Sequence, residues 1–83
     1  MKNSHVRAKI TLLTQQEVVD FIKALCDGRN DFYDVENFSG TKVVNARSIL
    51  GMLYATGEFP DEMYLVNTTN DGYFPSEIDN FRG

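Results

Sequence analysis

Cysteine and histidine each occur once in this 83-residue chain, and no lysine or arginine has a basic neighbour. A single thiol, Cys26, excludes an internal disulfide and a thiolate zinc cage. His5 and Cys26 are too few to complete a metal site, so no metal or other cofactor is expected. His5 lies beside Asn3 and Ser4, where a solvated residue near the start of the chain is the plain reading and a proton carrier the alternative. The net charge of −4 and the scattered cations exclude the basic stripe that nucleic acid demands. No apolar run is long enough to span a bilayer, and Met1 to Val6 lacks the apolar stretch of a secretory signal. A reduced, cytoplasmic protein is the expectation, with no membrane partner. Asn37-Phe38-Ser39 and Asn67-Thr68-Thr69 fit the glycosylation pattern, but in that setting they read as chance matches.

What is present is the composition of one globular domain, 42% hydrophobic and 12% aromatic, spanning residues 1–83 with residues 1–5 as a flexible N-terminus. Val6 to Leu12 alternates apolar and polar, the period of a half-buried strand. Thr14 with Glu17 three residues on forms a capping box, and Leu13 and Val18 occupy the two ends of a hydrophobic staple. Val18, Phe21, Ile22 and Leu25 recur at helical spacing up to Gly28, which predicts a helix over 14–27 with Cys26 as a small core residue. Strands follow at Phe32 to Phe38 and from Lys42, joined by a turn at Ser39-Gly40. Ser48 to Leu53 predicts a short helix closed near Gly57, and Glu62 to Val66 a fourth strand. Phe74, Ile78 and Phe81, with Pro75 near the start, predict a brief last helix. The order is β-α-β-β-α-β-α. An α+β fold follows, a four-stranded antiparallel sheet covered on one face by helices.

Few residues offer chemistry. Asp31 with Asp34, and Asp61 with Glu62, are the available carboxylate pairs, but with nothing apolar around them they read as solvated loop acids. No glycine-rich phosphate loop follows a strand. A non-enzymatic protein is expected.

The segment Lys42-Val43-Val44-Asn45-Ala46-Arg47-Ser48-Ile49-Leu50-Gly51-Met52-Leu53 resembles the region of the HPr phosphocarrier family that leads into its second helix. Val44, Asn45, Arg47, Ser48, Ile49 and Gly51 fit the family's Val-Asn-x-basic-Ser-Ile-x-Gly pattern. The likeness runs on without a gap to Glu62-Met63-Tyr64-Leu65, and in element order it covers residues 6–82. It implies an HPr-like open-faced sandwich. It departs from the family at the phosphorylated histidine, which lies in a Gly-x-His-Ala-Arg-Pro pattern capping the first helix. Thr14 stands at that degenerate phosphohistidine position, and Leu12 to Val18 contains no histidine, arginine or proline. Phosphoryl carriage needs a nucleophile and cationic donors for the incoming oxygens, and neither is there.

The resemblance also implies a regulatory site. In the Gram-positive branch, the serine at the Ser48 position is phosphorylated by a dedicated kinase; a plain helix cap is the other reading of Ser48, and the two are compatible. Arg47, Ile49, Leu50 and Leu53 match the family's partner-binding patch, with core packing as the alternative, although a helix this apolar cannot bury all of them. The expected function is that of a monomeric regulatory adaptor of the sugar phosphotransferase system type, bound to a protein partner through the second helix. A phosphocarrier with a displaced acceptor, or the fold reused for an unrelated partner, are the alternatives.

Overall fold

A computed structural model of the chain describes residues 6–26 and 30–83. The expectations for His5, for residues 1–5 and for Gly28 lie outside the described residues. The elements are β1 (Arg7–Ile10), α1 (Gln15–Cys26), β2 (Tyr33–Glu36), β3 (Val43–Asn45), α2 (Ile49–Glu58) and β4 (Met63–Asn67). A 3-10 helix, Ser76–Phe81, closes the chain. The sheet is antiparallel throughout, in the order β1-β4-β2-β3.

Alternation along the strands sorts their side chains onto two faces. Ala8 and Ile10 of β1, Tyr33 and Val35 of β2, and Met63 and Leu65 of β4 are buried in one core with Val18, Phe21 and Leu25 of α1. Met52 and Ala55 of α2 and Ile78 of the 3-10 helix complete that core, and Phe81 packs edge-on to Phe21 at 5.7 Å. The register places Arg7, Val66, Asp34 and Asn45 in a row across the opposite face, with Lys9, Tyr64, Glu36 and Val43 in the next. The fold is thus α+β, with the core between helices and one face of a four-stranded sheet.

Local chemistry explains most boundaries. The α1 capping box forms: the Glu17 amide donates to Thr14 Oγ1 at 3.1 Å, and Glu17 Oε1 accepts from the amides of Thr14 (3.1 Å) and Leu13 (2.6 Å). The expected staple does not form, because Leu13 is 81% exposed while Val18 is buried. Gly40 takes φ 75° in the β2–β3 turn, where a residue with a Cβ is strained.

Several expectations are corrected. Cys26 is exposed, not a core residue. The buried stripe of α1 is Val18, Phe21 and Leu25, while Ile22 is only half-buried, so a residue one turn beyond Ile22 falls on the flank. The second helix closes near Gly57 as expected, at Glu58, where the Phe59 amide donates to Ala55 O. The last helix is 3-10, its Ile78 amide donating to Pro75 O three residues back. Asp31 is 5% exposed, and Asp34 lies half-buried on β2 beside Val66, so neither is a solvated loop acid.

Candidate functional site

The approach to α2 is built from short side chains. Asn45 Oδ1 accepts the Arg47 amide at 2.8 Å, and the Ser48 amide donates to Asn45 O at 3.0 Å, turning the chain out of β3. Ser48 caps α2: its backbone is extended and its Oγ accepts the Gly51 amide at 3.0 Å. A Cβ on Gly51 would meet Val44 Cβ at 3.2 Å and Asn45 O at 3.3 Å, so glycine lets this first turn press against β3. Ser48 itself is half-buried, its hydroxyl engaged in the cap at a helix end that favours negative charge.

Beyond Ser48 the helix has two apolar faces. Met52 and Ala55 point into the core. Ile49, Leu50, Leu53 and Tyr54 are exposed, Leu50 at 80%, and they fall within one arc of the helix together with exposed Gly57. From Ser48 to Gly57 there is no charged side chain. The expected partner-binding residues Ile49, Leu50 and Leu53 therefore share one exposed surface.

Arg47 goes elsewhere. Its Nη2 donates to Leu25 O at 2.7 Å, covering a carbonyl of the last turn of α1, and its guanidinium lies 5.4 Å from the Tyr33 ring centre. Its Nε is buried with no hydrogen-bond partner among the described residues. Arg47 therefore ties α1 to the β3–α2 turn and is half-buried.

Thr14 sits far from Ser48. Leu13, Thr14, Gln15 and Val18 of the α1 start line a groove of about 460 Å³ with Leu53, Thr56, Gly57 and Pro60. Ser48 is at the other end of α2, beside Arg47, which reaches the last turn of α1 rather than its start. The Glu17 carboxylate sits on the amides of Leu13 and Thr14 just before α1, and its negative charge leaves a poor seat for phosphate at Thr14.

Two further polar clusters occur. On the open sheet face, Arg7 Nη1 meets Glu36 Oε2 at 3.0 Å and donates to Phe38 O at 2.9 Å, with the guanidinium 4.4 Å from the Tyr64 ring centre. Burial there raises the Asp34 pKa above its ordinary value, and the Glu36 charge adds to the rise. At the far end of β4, Asn67 is 1% exposed and every polar atom of its side chain is used. Its Nδ2 donates to Asp31 Oδ2 (2.8 Å) and Tyr73 O (3.0 Å), while Oδ1 accepts the amides of Thr69 (2.9 Å) and Asn70 (2.7 Å). In the sequence Asn67 stands out only as a chance glycosylation match, although an asparagine directly before a loop is a known turn former. Asn37 is buried like Asn67, so neither glycosylation match presents an accessible amide.

Among the described residues no group of three or more His, Cys, Asp or Glu side chains could hold a metal ion. No helix among them is long and apolar enough to cross a membrane. No family model, curated protein or solved structure matches the chain.

Proposed function

We propose that this chain is a non-enzymatic, HPr-like adaptor that binds a protein partner through the outer face of α2 and carries no phosphohistidine. The observation that carries this reading is the uncharged arc of Ile49, Leu50, Leu53 and Tyr54, exposed directly after a capping serine. Contiguous apolar surface of this kind is what protein-binding sites display. The element order supports the HPr-like part of the reading, as does the glycine-assisted contact of α2 with β3. The Glu17 carboxylate beside Thr14 speaks against phosphoryl carriage there.

Regulation at Ser48 belongs to the same proposal. A phosphate there adds about two negative charges beside Ile49 and Leu50, at a helix end that tolerates them. Apolar partners are then repelled and an arginine cluster is recruited. The test is treatment with the serine-directed HPr kinase, with the phosphate located by mass spectrometry. Phosphate on Ser48 is expected; an unmodified Ser48 removes the regulatory part and leaves only the cap. Phosphoenolpyruvate with the general phosphotransfer enzyme should leave the chain unlabelled, and acid-labile phosphate on it would restore the phosphocarrier alternative.

A further inference from the structure

The groove between the start of α1 and the second half of α2 differs from its surroundings in charge. Leu13, Val18, Leu53, Gly57 and Pro60 supply its apolar walls, and none of the residues lining it is charged. Leu13 stands 81% exposed on one wall, and an added Cβ on Gly57 would meet nothing within 4 Å, so the groove is open at that point. Its borders are acidic. The Glu17 carboxylate is held at the Leu13 and Thr14 amides, and exposed Asp61 follows Pro60. The last carbonyls of α2 add the negative end of the helix dipole. Glu58 lies about 100° round the helix from Gly57 and turns toward the start of β3, where it pairs with Lys42 at 3.2 Å.

We propose that this groove receives an α-helix of a partner protein whose apolar stripe is flanked by Lys and Arg. The inference rests on the adaptor reading and adds the partner's shape and charge to it. A trough between two helices accepts the i, i+3, i+4, i+7 anchors of an amphipathic helix. Basic flanks on that helix meet Glu17 and Asp61, and so complement the rim. A second copy of this chain is disfavoured, because a two-fold contact would set the same carboxylates against each other on two molecules of charge −4. An anionic membrane surface is disfavoured for the same reason.

The test uses three synthetic helical peptides and the full chain labelled with 15N. Two peptides share one leucine stripe and differ in flanks, Lys/Arg against Glu; the third has Lys/Arg flanks and scrambled leucines. The basic, striped peptide is expected to shift the amides of Leu13, Leu53 and Gly57. The Glu-flanked peptide should bind about tenfold more weakly at low salt, the sum of a few exposed ion pairs, and added salt should narrow the gap. G57L, which fills open space, should weaken binding about tenfold or more while leaving the rest of the spectrum in place. Equal or tighter binding of the Glu-flanked peptide would overturn the charge inference and leave the adaptor reading standing. So would shifts confined to Ile49 and Leu50. Equal binding of the scrambled peptide would reduce the effect to bulk charge and overturn the groove. Shifts nowhere on α2 would remove both the inference and the adaptor reading, and self-association through the groove in sedimentation would replace the partner helix by a second copy.

Discussion

Asn67 is the position where one atom's change has the most calculable effect. Its side chain makes four hydrogen bonds at 2.7–3.0 Å while 1% exposed, joining the end of β4 to the 67–73 loop and to buried Asp31. Each such bond has a net value of roughly 0.5–1.5 kcal/mol, and leaving buried partners unmet costs more. Asn67→Ala should therefore lose ~3 kcal/mol. For a domain of this size, with a total of roughly 4–12 kcal/mol at the usual stability per residue, that is a large share. Asn67→Asp is the sharper probe, because it keeps the acceptor for the Thr69 and Asn70 amides and places an oxygen where Nδ2 now donates to Asp31. At pH 7 two carboxylates then face each other in a buried site, and the variant should be at least as unstable as the alanine form. The facing pair favours a bound proton in the folded state, which raises its folded-state pKa above the unfolded value. Stability from that proton is fully present below the unfolded pKa and lost as pH rises through the folded one. Acidification should consequently narrow the gap to the wild type. Urea denaturation followed by far-ultraviolet circular dichroism, at pH 7 and at successively lower pH, measures this. An Asn67→Asp protein as stable as wild type at pH 7, or a gap that widens on acidification, would refute the reasoning.

Leu25→Ala should cost on the order of 2–5 kcal/mol in the same assay, because Leu25 is fully buried in the core with Phe21; a loss below the low end would mean that α1 is not clamped as described. Ser48→Ala should cost ~1 kcal/mol through loss of the bond to the Gly51 amide, with Ser48→Asp keeping most of it; equal melting of all three proteins would show that the cap contributes nothing. A carboxyl-detected NMR titration should find Asp34 titrating above its ordinary value, and Glu36→Gln should reduce that rise without abolishing it, since burial is the larger cause. Because the folded pKa is the raised one, Asp34 contributes stability at low pH that fades as pH rises through it, so Asp34→Asn should flatten that part of the stability–pH curve.

Residues that speak to their near neighbours were readable from the sequence alone. The Thr14–Glu17 box, the helical spacing of Val18, Phe21 and Leu25, the strand alternation before it, the Ser48 cap and the Ser39-Gly40 turn are all local, and each stands where its pattern put it. That the second helix leaves some apolar side chains exposed was legible as well, since it has more such surface than one core can cover; that they are Ile49, Leu50 and Leu53 rather than Met52 is seen only in the packing. Which distant groups would meet was decided only by the tertiary structure. Spacing along α1 offers both Leu25 and Cys26 to the core, and only the packed helix shows Leu25 buried and Cys26 exposed. Asp31 and Asn67 are separated by 36 residues and become partners only when β2 and β4 pair. Arg47 crosses to Leu25, and Leu13 comes to face Gly57, for the same reason. Short-range patterns are set by backbone geometry that every chain shares, whereas these contacts follow from the packing of helices on a particular sheet register, which no window of sequence contains.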